Sequence, residues 1–309
     1  MGTDRAGVGA FPAMLDRLRT EPERLVHWAA IAAWIVTFFV LGAALDDGLA
    51  DWDHNTLVID LAVQGVWFVG VLTSLTLPAP VTLTAARIAV PGTIPVALWA
   101  ATQSDDTTAT VIGLVAAVVV SGLVLSSAFG DRFIDGASYG DERRFALRPP
   151  GPVLIGLVVP TWMVTVAGAL AGPLLLGDEQ WVLGSVVTAL GWTIAFFAGR
   201  TLDNLTRRFL VFVPNGLVVH DLTVMREPVL FQKREIAGIA PALAHTTAAD
   251  MTSAALGLAV ELKFGTPIEL PVVTGRTTTE EQTLRSILIS PTRPASVLRV
   301  AQTRGFPIT

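Results

Sequence analysis

The 309 residues carry 21 basic and 26 acidic side chains, a net charge of −5, 52% hydrophobic residues and a mean hydropathy of +0.60. The apolar excess lies between Leu25 and Gly199, where a water-soluble domain would have too little polar surface to present to solvent. Cysteine is absent, which excludes disulfides, thiolate nucleophiles, zinc–sulfur sites and iron–sulfur clusters.

Residues 1–24 precede the apolar region. Phe11, Met14, Leu15 and Leu18 fall at helical spacing with Arg17 and Arg19 beside them, the pattern of a short helix lying on the inner leaflet; a polar leader is the other reading. Residues 25–199 divide into six runs, each close to the roughly 20 apolar residues that a spanning helix needs. The first is Leu25–Leu45, longer than the about 7–15 residues of a signal peptide's apolar core and therefore read as retained. The second is Leu57–Leu77, with Asp60 in its first turn. The third, Leu83–Ala101, contains Arg87, Pro91, Gly92 and Pro95 and is the weakest. Ala109–Phe129, Pro152–Leu176 (with Pro160 and Pro173 inside it) and Trp181–Gly199 complete the set.

The charges orient these spans. Residues 46–55, 103–106 and 177–180 hold eight acidic side chains and no Lys or Arg, whereas Arg5, Arg17, Arg19, Arg24, Arg132, Arg143, Arg144, Arg148, Arg200, Arg207 and Arg208 fall on the other side. Positive residues are retained on the cytoplasmic face, so both termini are expected in the cytosol and the protein in the cell membrane. The alternation requires the third span to cross, with a re-entrant hairpin as the alternative; Arg87 then snorkels toward the inner interface. Small residues four apart, at Gly113–Ala117–Ser121, Gly168–Gly172 and Gly191–Ala195–Gly199, mark intramolecular packing faces.

After Arg208 the periodicity becomes that of strands. Phe209–Val213 and Leu217–His220 flank Pro214-Asn215-Gly216, a hairpin signal. Further strands are expected at Pro228–Phe231, Glu235–Ala240, Gly257–Phe264 and Ile268–Val273, the last two joined by a turn at Gly265-Thr266, and then at Thr283–Ser290. Pro294–Arg304 reads as a helix with Pro in its first turn and Gly305 at its end, packing Val297, Leu298 and Ala301 on the sheet. The fold class is thus a membrane α-helical bundle of six spans followed by a β-rich domain at 200–309.

Seven strands and a closing helix, with the segments RRFLVFVPNGLVVHD, REIAGI and LAVELKFGTPIELP, resemble the bacterial pleckstrin-homology-like (PH-like) domains fused to membrane helices in multi-pass proteins of actinobacterial type. The resemblance implies a PH-like barrel capped by one helix and carries over no catalytic residues. PH domains that bind phosphoinositides use basic residues in the first hairpin loop. Here that loop is Pro214-Asn215-Gly216, which gives no expectation of headgroup binding.

Other motifs point to little chemistry. Gly136-Ala137-Ser138-Tyr139-Gly140 spells G-x-S-x-G but follows an apolar helix rather than a strand, so it is a loop and not a nucleophile elbow. His27, His54, His220 and His245 show no metal-ligand spacing. His54 with Asp51 and Asp53 reads as a solvated loop. No phosphate-cradling loop precedes a helix, and basic residues are interleaved with carboxylates, against nucleic-acid binding. No enzyme, cofactor or metal is expected. The expected partners are the lipid bilayer and a membrane or cytosolic protein. The leading expectation is a non-enzymatic scaffold or assembly and regulatory factor. The alternative is a small transporter or channel whose path is lined by Arg87, Pro91, Gly92 and Pro95, because broken helices with a charge often line transport sites.

Overall fold

A computed structural model describes residues 22–49, 71, 77–104, 106–275 and 278–309. The expected N-terminal helix, most of the Leu57–Leu77 span, Asp60, Asp51, Asp53 and His54 lie outside the described residues. Among the described residues, five helical stretches are long and apolar enough to cross a membrane: Pro22–Leu45, Pro80–Thr102, Thr107–Leu125, Gly151–Gly177 and Trp181–Thr206. The chain separates into two compact units, residues 1–52 with 90–132, and residues 53–89 with 133–309.

In the first unit, α1 (Pro22–Leu49) packs with α4 (Thr107–Leu125) and α3 (Thr93–Gln103). Along α1 the buried positions are Glu23, His27, Ala30, Trp34, Thr37, Leu41 and Ala44, three and four apart. Along α4 they include Thr110, Gly113, Ala117, Val120 and Val124 at the same spacing. That is the stripe of a left-handed helix pair. Outside the stripe both helices remain apolar, with Phe39 69% exposed, as a helix facing hydrocarbon does. Asp106 caps α4 by accepting the Thr108 and Ala109 amides at 2.9 and 3.0 Å.

In the second unit, α6 (Gly151–Gly177) and α7 (Trp181–Thr206) form an antiparallel pair in backbone contact. A Cβ on Gly168 would lie 2.7 Å from the Gly191 carbonyl oxygen, and a Cβ on Gly172 would overlap Thr188. Both glycines therefore serve intramolecular packing. The prolines of α6 are accommodated differently. Upstream of Pro160 the helix widens into one π-helical segment, Leu154–Val158, which relieves the clash of a proline ring with the carbonyl four residues back. Pro173 withholds a donor from the Ala169 carbonyl, and the Trp192 indole N–H of α7 supplies one at 3.3 Å. Also in this unit is α2 (Pro80–Ala89), which packs on α7 through Thr84, 3.0 Å from Asp203 and 3.1 Å from Thr206.

The β domain contains two four-stranded sheets around one core. The first has the order β1 (Arg143–Ala146), β2 (Phe209–Val213), β3 (Gly216–His220) and β4 (Val229–Gln232), all antiparallel. The second has the order β5 (Ile236–Pro241), β7 (Val260–Val273), β8 (Thr279–Ile289) and β6 (Ala249–Asp250). The sheets do not close into a barrel; they meet at isolated bridges such as Met225 with Val272. Helix α8 (Pro294–Thr303) buries Val297 and Ala301 in their common core, and Phe306 follows them in.

Two expectations need correction. There is no hairpin at Gly265-Thr266: β7 runs through from Val260 to Val273, and its register against β8 shifts between Lys263 and Ile268. Pro267 cannot donate to a ladder, so the chain makes an irregularity there rather than a turn. The second hairpin turn lies instead between β7 and β8. The strand also starts later than read, at Val260, leaving Leu258 74% exposed rather than in line with Val260, Leu262 and Phe264. Strand β1 was not foreseen at all. It comes from the segment between two apolar helices, so the sheet draws residues from outside 200–309.

Candidate functional site

The four positions singled out from sequence fall around a break within the Pro80–Thr102 helical stretch. Arg87 stands in the last turn of α2, Pro91 and Gly92 lie in the turn before α3, and Pro95 is in the first turn of α3, where a missing amide costs little. Gly92 has φ −61 and ψ −17, so no left-handed conformation requires glycine there. The turn is secured by the buried Thr93 hydroxyl, which donates to the Val90 carbonyl at 2.7 Å.

The densest polar constellation among the described residues is elsewhere, where the segment before α6 enters the β domain. Its centre follows from hairpin register. Phe209 pairs with His220, so the next residues outward, Arg208 and Asp221, stand opposite each other. Arg208 is 2% exposed, and its Nε and Nη2 reach Asp221 Oδ1 and Oδ2 at 2.8 and 2.5 Å. A bidentate pair of this kind satisfies both groups where water cannot. The remaining Arg208 nitrogen, Nη1, donates to the Arg148 carbonyl at 2.7 Å. Asp221 also accepts the Thr223 amide and hydroxyl, at 3.1 and 2.6 Å.

Residues 143–148 are stitched in along their length. Phe145 and Leu147 enter the shared core. The Leu147 amide donates to Arg208 O at 2.9 Å, Arg148 N to Ser290 O at 2.8 Å, and Thr292 N to Ala146 O at 2.9 Å. The Arg148 guanidinium donates to the Leu258 and Thr292 carbonyls at 2.9 and 3.2 Å. Gly257 adopts φ +106, and a Cβ there would lie 2.6 Å from this guanidinium. On the near side, Asp135 accepts the Arg143 guanidinium at 2.7 Å, the Arg144 amide at 2.8 Å and the Ser138 hydroxyl at 3.0 Å. Arg144 also donates to Glu142 at 2.9 Å, and this hydrogen bond holds the Glu142 carboxyl below its usual pKa. Arg304 closes the set, donating to the Phe212 and Asp141 carbonyls.

Chemically this is a lock: its charges are used on one another and on backbone groups. Ser138 of the G-x-S-x-G spelling hydrogen-bonds Asp135 at the end of α5 (Ser127–Asp135), not at a strand–helix elbow. His220 Nδ1 donates to the Arg207 carbonyl, 2.8 Å away, and the ring stacks on Phe209, while His27 meets Phe129 edge-on. Among the described residues no three His, Asp or Glu side chains are grouped as a metal site would need. Sequence reasoning passed over the lock, although one signal was available. The Asn-Gly hairpin sets Arg208 against Asp221, an opposite-charge pair at its open end. No protein-family model, curated protein or solved structure matches the chain.

Proposed function

We propose that the protein is a non-enzymatic membrane scaffold, an assembly or regulatory factor of the cell membrane, whose β domain presents a rigid surface to a membrane or cytosolic protein partner at the inner leaflet. The observation that carries this reading is the lock. The β domain is not tethered by a single linker after α7. It also incorporates β1, contributed by the chain just before α6, so it is held at both ends of a helical hairpin. An enzyme needs a site that exchanges ligands, whereas the Arg208, Asp221 and Arg148 side chains at the centre of this constellation are engaged by one another and by backbone carbonyls.

Six spans with both termini cytosolic fit the same picture. β1 and β2 pair across the α6–α7 hairpin, which is what two crossings between them would permit. Thr84, near the start of the third span, contacts Asp203 and Thr206 just before β2, which supports an entry for that span on the β-domain side. Two sheets followed by a helix that shares their core support the PH-like assignment, in an open form. The turn Pro214-Asn215 lacks basic residues, which favours a protein over a phosphoinositide as partner.

Isolation at native expression in mild detergent, followed by cross-linking mass spectrometry, tests the proposal. Carboxylate-reactive linkers suit a chain whose lysines are Lys233 and Lys263 alone. A reproducible partner cross-linked to the β domain is expected; recovery of the protein by itself would overturn the scaffold. The second reading, a transporter or channel, draws support from the break between α2 and α3. It predicts that Arg87→Ala and Pro91→Ala fail to restore an uptake defect in a deletion strain, and full complementation would remove it.

A further inference from the structure

Two loops of the β domain carry large apolar side chains into the open. Between β6 and β7, Leu256 and Leu258 are 63% and 74% exposed, and between β5 and β6, Leu243 is 75% exposed. The Ala242 amide donates to the Ala259 carbonyl at 3.0 Å, so the segments that bear Leu243 and Leu258 run side by side. The presentation is built rather than slack. Ser253 and Ala254 adopt φ values of +55 and +57, a strained choice for residues with a Cβ. The loop is held by Thr252 N donating to Asp250 Oδ1 at 2.7 Å and by Gly151 N donating to Ala254 O at 3.1 Å.

The last contact fixes where the loop stands. Gly151 is the first residue of α6, and a Cβ on it would lie 3.0 Å from Leu256. Immediately onward, Leu154 and Ile155 of α6 are 40% and 72% exposed on a helix apolar enough to span the bilayer. The exposed leucines thus continue, at the level of the first turn, the exposed apolar surface of α6. Arg148, three residues before α6, donates to the Leu258 carbonyl at 2.9 Å and so ties this loop to the start of the helix. We propose that these loops dip Leu243, Leu256 and Leu258 into the interfacial zone of the leaflet that α6 enters, making the β domain a second, independent membrane contact. The proposal rests on α6 being a membrane span.

The absence of cysteine allows a test on the full chain. Leu243→Cys, Leu256→Cys and Leu258→Cys, each carrying a nitroxide, are reconstituted in vesicles of phosphatidylcholine and phosphatidylglycerol. Collisions with oxygen, which concentrates in lipid, are compared with those of a water-soluble nickel chelate. Ile155→Cys reports on the span, and Asn215→Cys, at the far end of the β2–β3 hairpin from α7, reports on water. The expected result is an oxygen-to-nickel ratio several-fold above that of Asn215 at the leucine sites and at Ile155. If Ile155 is lipid-exposed and the leucine sites match Asn215, the loop proposal is overturned while the span stands. If Ile155 itself matches Asn215, the span reading fails and the proposal with it. Shielding of the leucine sites from both reagents would mean a protein seat, and would overturn lipid contact as well. Line broadening that disappears on dilution with unlabelled protein would identify that seat as a second copy.

Discussion

At the scale of single residues, Arg208 and Asp221 form a buried ion pair in the β domain that is costly to break from one side. Removing one partner of a fully buried ion pair leaves the other charge without compensation, at a cost of about 3–5 kcal/mol. Asp221→Ala is expected to lower the midpoint of heat inactivation in detergent strongly. The double variant Arg208→Met with Asp221→Leu should recover part of the loss, since apolar side chains can occupy such a site without desolvating a charge. A double variant no better than Asp221→Ala would show that the bonds from Arg208 to Arg148 O and from Thr223 to Asp221 matter more than the charges. Glu142 gives a gentler, pH-dependent term. Its folded pKa lies below the unfolded one because the Arg144 guanidinium donates to it. The contribution is therefore present above the usual carboxylate pKa and fades as pH falls through the folded value. Exchange of the Tyr139 amide, which donates to Glu142 at 3.4 Å, corrected for intrinsic rates, should accelerate only below the ordinary carboxylate range, and Glu142→Gln should remove that dependence. Of these residues only Arg208 and Asp221 were within reach of sequence reasoning, through the hairpin's register. Arg148 was not, because its partners lie 110 and 144 residues away and no local pattern encodes such a distance.

At the scale of elements, the apolar helices were readable because each must be apolar around most of its circumference. The small-residue faces were readable because close approach requires them. Gly172→Ala places a methyl group against Thr188, whereas Gly156→Ala, in the same span, meets nothing within 4 Å. The first should destabilise the α6–α7 pair by about 1–3 kcal/mol and the second should be near neutral, compared by the fraction of protein surviving heating in detergent. Equal effects would show that helix propensity rather than packing governs the span. The strands were less readable. Gly265-Thr266-Pro267 has turn composition, yet β8 pairs with β7 on both sides of the irregularity, and β5 pairs with it before, so the strand stays extended. β1 is four residues of mixed polarity, Arg-Arg-Phe-Ala, and is a strand only because β2 lies beside it. The Asn-Gly signal did locate a hairpin, but by a different geometry. Pro214 and Asn215 occupy the two loop positions, and Gly216 is needed because a Cβ there would strike the Phe231 carbonyl.

At the scale of the whole molecule, β1 joins parts of the chain that the order of residues keeps apart. Phe145 is fully buried among residues of both sheets, so Phe145→Ala should cost about 3–5 kcal/mol. Replacing residues 143–147 by a Gly/Ser segment should expose the β2 amides to hydrogen exchange while α6 and α7 stay inserted. Unchanged β2 protection would show that residues 200–309 fold without help. The arrangement also bears on biosynthesis. When β1 leaves the ribosome its partner does not yet exist, and two apolar helices must be threaded before Phe209 arrives. If only one of them inserts, β1 and β2 emerge in different compartments and the sheet cannot assemble. If α6 and α7 are membrane spans, β1 can meet β2 only when both have crossed, so burial of Phe145 reports that the pair has inserted together.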